Sequence, residues 1–560
     1  MSYPTDNSRV HGFLHTKGKL LVNGDGEEVL LRGWGAGNWN NPEGFMIGAV
    51  TNFTGAAVQD KVVRASGMDR GRSFIQIVRE TCGSRYATDF WNRWMNTYMT
   101  EDDFILMEKL GYNSVRLPIS ARCFLEEEPG YIWVEEAFEM LGRVLDWCQK
   151  HHIYGILDLH GAVAGQSCLP CDDGIDNQPR LFMEEESYER TIVLMEEFAR
   201  RFADHEGLGG YNIVNEPLSN FSGDANDKYI PKLKQFYLDC IRRMRVYDKN
   251  HAFFLEGNHF TNRVSIFDQD YDPECHNWVL TLHCYSKRPE YSAIAPALAK
   301  ADKLGVPVWM AETGGPNRWM SAQYEMLLEH HIGYCVWSWK CVEGGNACSV
   351  IRHKLPEGWD KINAYVSEGA ARPSYAESQA IFDRYIDCLK FENCTVSEDA
   401  TIDIFRRKGA VIPASGFNLS PGRGISYKGN DPYGNEAAYR PGTGMEMVFA
   451  PGYTSRETVM GKPRPDTDWE NLQLVLHKGD FTCYTCRELT SGCGVSLRCR
   501  ADETAVVSLR SGNTLLGTLT INPTSELIDT ETLPLPEDQY QVLRVESEEG
   551  TVILSDLLIR

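Results

Sequence analysis

The feature that most limits what this chain can become is an alternation. From about residue 29 to 390, short apolar runs alternate with segments whose apolar residues recur at helical spacing. The runs predict strands over 29–34, 114–116, 154–160, 211–216, 252–256, 279–283, 306–312 and 333–339. Between them, Ile230, Leu233, Phe236, Tyr237, Cys240, Ile241 and Met244 share one helical face. Thr100 with Asp103 resembles a capped helix start, and Ser374 with Glu377 is a capping box opening the last helix of the series. Strands that each need a crossover helix pair in parallel, and eight of them close on themselves. The expected fold is therefore a (β/α)₈ barrel. Ahead of it, 20–22 and 29–31 read as a hairpin around Asn23-Gly24-Asp25-Gly26.

Two connections are long. One runs from Asn40 to about Thr100 and contains a helical stretch near 74–95. The other runs from Gly161 to about Pro179. Loops that follow barrel strands lie on the catalytic face, so these two predict a closed-off pocket rather than an open cleft. After about residue 395 the helical period stops. Gly, Pro, Ser and Thr punctuate short alternating runs: 472–476, 495–499, 507–509, 515–521, 542–545 and 552–559. This predicts a β-sandwich. The division expected is 1–392 for the barrel and 393–560 for the sandwich.

The chain has 560 residues, and 56 Lys+Arg against 78 Asp+Glu give a formal charge of -22. Such an excess of negative charge repels phosphate backbones and anionic lipid, which argues against nucleic-acid and membrane partners and suits a neutral substrate. The first residues show no basic segment leading into an apolar one, and the 17 Cys are odd in number and scattered. Both point to a cytoplasmic protein with reduced thiols.

Two strand ends carry the chemistry. Tyr211-Asn212-Ile213-Val214-Asn215-Glu216-Pro217 and Val308-Trp309-Met310-Ala311-Glu312-Thr313 each end an apolar run in a carboxylate. Burying a charge beside such a run is costly unless something uses it. Two such glutamates, on the fourth and seventh strands, match what glycosidic-bond hydrolysis needs: one carboxyl to protonate the leaving oxygen and one to attack the anomeric carbon or activate water.

At this point the sequence resembles the cellulase-type glycoside hydrolases, family five of clan A, over most of residues 10–390. Asn-Glu-Pro after strand four and Glu-Thr-Gly-Gly after strand seven carry the likeness. Arg32-Gly33-Trp34-Gly35 with Asn38-Trp39, Asn113 to Pro118, Leu157 to Gly161, Leu282-His283-Cys284-Tyr285 and Val336-Trp337-Ser338-Trp339 extend it, one motif per strand. The resemblance implies Glu216 as acid/base, Glu312 as nucleophile, and Arg116 holding Glu312 ionised. It also implies Asn215 on the sugar 2-hydroxyl, His160 and His283 lining the glycone subsite, Tyr285 bonded to the nucleophile and Trp339 as platform under the sugar. It implies retention of configuration, and neither cofactor nor metal. The expected substrate is a β-linked oligosaccharide or glycoside, cleaved exo by a β-mannosidase or β-glucosidase. An endo-glucanase or mannanase and a non-catalytic sugar-binding protein are the alternatives. The sequence does not fix the oligomeric state.

Weaker signals remain. Cys168-Leu169-Pro170-Cys171 and the group Cys483, Cys486, Cys493 and Cys499 could bind metal, but isolated or alternating thiols are more often buried small side chains. Glu256 and Glu343 read as secondary pocket residues. The tail loosely resembles jelly-roll carbohydrate-binding modules, with Trp469 and Tyr540 as candidate sugar platforms.

Overall fold

A computed structural model describes residues 7–49, 67–219, 224–285, 287–345, 347–430, 439–453, 457–459, 462–464 and 469–560. Eight parallel strands close into a barrel: β1 (Arg32–Gly35), β2 (Ser114–Ser120), β3 (Tyr154–Gly161), β4 (Leu208–Asn212), β5 (Ala252–Glu256), β6 (Trp278–Cys284), β7 (Val308–Thr313) and β8 (Gly333–Val336). They pair in chain order, and β8 bonds both β7 and β1. Almost every strand residue is buried, as expected of parallel strands covered by helices outside and side chains inside. Tyr154, Ile156, Phe254, Val279, Trp309, Ala311 and Cys335 pack inside the barrel with Leu14, Leu21 and Leu31 from the N-terminal segment.

Local differences from the sequence pattern have physical causes. The apolar run at 211–216 continues past β4, but Glu216 and Leu218 adopt φ of 42° and 54°, which a strand cannot contain. The stretch 74–95 is two helices, Gly71–Cys82 and Ser84–Tyr98, parted at Gly83 with φ 96°. Leu20–Val22 pairs with His15–Lys17, while 23–28 forms a turn around the Asn23 side chain, closed by Val29 N–H on Leu21 O. Residues 50–66 of the first long connection lie outside the described residues. The capping residues behave as expected: Asp103 accepts the Thr100 N–H at 2.8 Å, and the Ser374 hydroxyl accepts the Glu377 N–H at 3.2 Å.

The C-terminal part is a β-sandwich of two antiparallel sheets. One holds Glu446–Phe449, Leu472–Leu476, Val552–Ile559, Gly494–Ala501 and Thr524–Asp529, with Val411–Pro413 and Leu533–Pro534 added at the side. The other holds Tyr427–Lys428, Phe481–Leu489, Asp538–Glu549, Ala505–Ser511 and Thr514–Ile521. It docks on the barrel through the helix Asn317–Glu329, which follows β7 and is buried from Trp319 to Glu329. Polar contacts fix that seat. Arg487 meets Glu325 at 2.7 Å, Arg406 donates to Ser321 Oγ, Arg318 meets Asp556 at 2.8 Å, and Glu329 accepts the Leu419 N–H. Burial drives Glu325 towards its neutral form, but the Arg487 and Arg406 guanidiniums outweigh it and hold the carboxyl below its ordinary value.

Removing one partner of a buried ion pair strands the other charge. Arg487→Met is therefore expected to lower unfolding free energy by about 3–5 kcal/mol, read from urea denaturation. An unchanged denaturation midpoint would contradict the docking described.

Candidate active site

The site is built around one cation. Arg116, the third residue of β2, is fully buried inside the barrel mouth. Its Nη1 donates to Glu312 Oε2 at 2.7 Å, its Nη2 to Asn215 Oδ1 at 2.6 Å and its Nε to Asn212 Oδ1 at 3.1 Å. Nη2 also lies 3.2 Å from Glu256 Oε1 and 3.1 Å from Asp158 Oδ1. Strands β2, β3, β4, β5 and β7 thus converge on a single guanidinium, whose planar fork can serve several acceptors at once.

Glu312 lies on β7 and Glu216 in the turn after β4, and one carboxylate oxygen of each lies within 4.8 Å of the other. Their surroundings differ. Glu312 accepts from Arg116 and from the Tyr285 hydroxyl. Burial raises its pKa, but the His283, Arg116 and His160 charges more than reverse this, so the net shift is downward. Among the described residues, Glu216 receives one side-chain donor, His283 Nδ1 at 2.9 Å. Burial is the largest influence there, with Glu312 and Glu256 repulsion added, and the net shift is upward despite His283. One carboxyl is held ionised and the other is biased towards its protonated form, which is how two neighbouring acids come to take different roles.

The two histidines are also set by carboxylates. His160 Nδ1 lies 2.8 Å from Asp158 Oδ2 on the same strand; burial favours the neutral ring, but Asp158 outweighs it and the pKa is raised. His283 is buried too, yet Glu256 and Glu312 push it up to about 10. Glu256 ends β5 and is held near 2, because His283, Arg116 and the Thr261 hydroxyl overcome its burial.

A cavity of about 910 Å³ opens beside these groups, lined among others by Glu43, Phe45, His160, Cys171, Glu216, Tyr285, Glu312 and Trp337. Both long connections reach it: the first supplies Glu43, Phe45 and Asp69, and the second Leu169, Pro170 and Cys171. A smaller cavity of about 210 Å³ lies against Glu216, His283 and Tyr285 and is completed by Phe260, Asn262 and Lys287. The second connection also clamps the acid-bearing turn. The Gln166 side-chain amide donates to the carbonyls of His160 and Asn215 at 2.8 and 2.9 Å, and the Gln166 backbone carbonyl accepts the Leu218 N–H. The buried Asp172 fixes that loop by accepting the Gln166, Ser167 and Gly174 N–H groups.

The sequence-predicted residues divide as follows. Arg116, His160, Asn215, Glu216, His283, Tyr285 and Glu312 meet at one face of the barrel. Trp339 does not reach the cavity. It is fully buried against Trp34, and its indole donates to Asp103 at 2.9 Å. The cavity wall is Trp337 instead, whose ring lies parallel to His160 with centroids 5.3 Å apart. The cause is that β8 stops at Val336, so Trp337 is the first side chain free to turn inward. Gly35 and Gly37 make room: a Cβ on either would come within 3 Å of the Trp337 ring.

Sequence reasoning missed Glu43, a buried carboxyl on the first connection that no strand pattern could flag, and placed Glu256 too far out. Burial raises Glu43 to about 8 against the opposing pull of His160. Glu343 is exposed and faces Thr395 rather than the cavity. In the sandwich, Trp469 is fully buried and Tyr540 lies beside Arg487 at the docking face, so neither is displayed as an open sugar platform. Cys171 lines the cavity and Cys168 accepts from Asn226. Cys483 and Cys486 share one strand, while Cys499 lies in the opposite sheet.

Comparison with known proteins bears on the same region. A β-xylosidase of Phanerodontia chrysosporium is 31% identical over 274 residues, 49% of this chain and 52% of that protein. A probable glucan 1,3-β-glucosidase A of Emericella nidulans is 31% identical over 173 residues, 30% of this chain and 39% of that protein. Cellodextrinase A of Ruminococcus flavefaciens is 26% identical over 197 residues, 35% of this chain and 54% of that protein. The chain therefore spans about half the length of these relatives, or less. The family profile that matches is Cellulase (glycosyl hydrolase family 5), over residues 77–342, a stretch that holds β2 to β8 and both strand-end glutamates.

Proposed function

We propose that this protein is a retaining β-glycoside hydrolase that removes single terminal residues from short β-linked glycosides. The observation that carries the reading is the glutamate pair. One oxygen of each within 4.8 Å of the other matches the close pair of a retaining enzyme, about 5–5.5 Å, better than the roughly 6.5–9.5 Å of an inverting one, and fits direct attack by one carboxylate. Glu312, held ionised by Arg116, attacks the anomeric carbon. Glu216 gives its proton to the leaving oxygen, then takes one from the water that hydrolyses the glycosyl ester. Asn215, fixed by Arg116, stands beside the nucleophile where the sugar 2-hydroxyl would lie.

Trp337 serves as the hydrophobic face under the sugar, with His160 and Glu43 bonding its hydroxyls. Exo action is supported by the two connections that wall this cavity with Glu43, Phe45, Leu169, Pro170 and Cys171. A gluco- or xylo-configured sugar is favoured over mannose by the names of the relatives: a β-xylosidase, a glucan β-glucosidase and a cellodextrinase. The 17 Cys, odd in number and scattered along the chain, suit a reducing compartment.

Aryl β-glucoside, β-xyloside and β-mannoside tested side by side should show turnover of the first two ahead of the third. Glu312→Ala should lose about a thousandfold or more in kcat, and azide should restore turnover of the aryl substrate by replacing the missing nucleophile. A protein that hydrolyses none of the three, or Glu312→Ala with unchanged kcat, would overturn the reading.

The pH dependence follows with its sign. Glu312 must be ionised, so activity falls as pH drops through its lowered pKa. Glu216 must be protonated, so activity falls as pH rises through its raised pKa. A kcat/KM profile should be bell-shaped, its acid limb below and its alkaline limb above the ordinary glutamate value of about 4.3. Both limbs belong to the interacting pair rather than to either residue alone. An alkaline limb at or below that value would contradict the assignment.

A further inference from the structure

Glu256 has no counterpart among the roles implied by the resemblance, and it does not line the larger cavity. Yet its carboxylate makes four contacts in the site. Oε2 accepts the backbone N–H of Glu216 at 2.7 Å and the Thr261 hydroxyl at 2.7 Å. Oε1 lies 3.2 Å from Arg116 Nη2 and 3.4 Å from His283 Nε2. The opposite ring nitrogen of His283 bonds the Glu216 carboxyl at 2.9 Å. Glu256, His283 and Glu216 thus form a line, carboxylate to imidazole to carboxyl, on β5, β6 and the turn after β4. The Nε2 contact with Glu256 is an ion-pair distance rather than a formed hydrogen bond, and an anion on that side of the buried ring favours the form in which both nitrogens carry protons.

We propose that Glu256 is a positioning residue for the acid/base Glu216: it pairs with the far side of the His283 ring whose near nitrogen bonds the Glu216 carboxyl, and it anchors the Glu216 backbone N–H, so that it governs through His283 how readily Glu216 gives up its proton. The inference rests on the reading of Glu216 as acid/base. The groups facing Glu216 are His283 from β6, Tyr285 and Lys287 just after it, Glu312 from β7, Glu256 from β5, and Cys171 and Glu43 from the two long connections. Those facing His283 are Glu256, Glu216 and Glu312. Among these, His283 is the one cation bonded directly to Glu216, so its charge decides how readily Glu216 ionises. Glu256 has a second hold on the same residue. Glu216 stands at φ 42°, a conformation side-chain-bearing residues rarely adopt, and Glu256 anchors the N–H that this turn directs inward.

The sign follows. With Glu256→Gln, His283 loses an anionic partner and deprotonates at lower pH. A neutral ring no longer stabilises the Glu216 carboxylate, so the Glu216 pKa rises. Loss of Glu256 repulsion acts the other way, but His283 is bonded to the Glu216 carboxyl directly at 2.9 Å, so the larger effect is upward. The alkaline limb of kcat/KM on an aryl β-glycoside should move up by about one pH unit. A role confined to holding the turn would lower kcat at every pH and leave the limb in place.

Two measurements test this on the full chain. The first is the pH profile of Glu256→Gln beside wild type, with the melting transition checked. A folded, active variant whose alkaline limb does not move overturns the proposal. The second is ¹³C-histidine NMR of the wild type, with the His283 signal assigned by its loss in His283→Gln. His283 is expected to remain cationic through pH 8, and a neutral ring at pH 7 overturns the proposal whether or not Glu256→Gln folds. Absence of all glycosidase activity would sink the reading of Glu216 instead, and the same NMR titration on Glu256→Gln would still decide whether Glu256 charges His283: an unchanged His283 titration there overturns the proposal.

Discussion

A fully buried guanidinium is expensive to desolvate, and this barrel places one at its centre. Arg116 is tolerated because Glu312, Glu256 and Asp158 surround it within 3.2 Å and two asparagines take its remaining protons. The charges are coupled further. His160 is drawn towards its cationic form by Asp158, and His283 by Glu256 and Glu312. The barrel mouth thus contains three carboxylates opposed by Arg116 and two imidazoles, and Glu216 stands at the edge of that set as the carboxyl with the least compensation. Its bias towards the protonated form comes first from burial, with repulsion from Glu312 and Glu256 added.

Position does the rest. Strands of a closed barrel direct successive side chains alternately inward and outward, so groups from β2 to β7 can meet within hydrogen-bond reach without a loop having to find its place. The loops then shape the space. Gln166 and Asp172 lock the third-strand connection onto the turn holding Asn215 and Glu216. The sandwich grips the helix that begins four residues after Thr313, the last residue of β7. It also touches the connection after β6, where the Tyr439 hydroxyl donates to Pro289 O. The C-terminal unit is therefore continuous with the walls of the site, and Trp469 and Tyr540 are taken up in its packing.

The barrel was legible in the sequence because its eight strands are buried on both sides and read as apolar runs. Glu216 and Glu312 were legible for the same reason, as carboxylates interrupting such runs. Other features were not. The strand pattern at 333–339 continues through two tryptophans, and only the end of β8 at Val336 decides that Trp337 faces the cavity and Trp339 the core. Glu43 sits in an aperiodic loop, where burial depends on how the chain folds back. Glu256 ends a strand as plainly as Glu312 does, but its partners come from β2, β6 and the turn after β4, and no linear pattern joins them. Family likeness supplied the roles of Arg116 and Tyr285; geometry supplied the reason that one glutamate is held charged and the other is not.

The central claim is that Glu312 forms a covalent bond to the sugar. Incubation with a 2-deoxy-2-fluoro-β-glucoside bearing a good leaving group slows both chemical steps and lets the glycosyl-enzyme accumulate, so that proteolysis and mass spectrometry can locate it. Time-dependent inactivation with the sugar esterified to Glu312 is the expected result. A label on Glu216 or on any other residue, or full activity retained under conditions where the parent glucoside is hydrolysed, would contradict it.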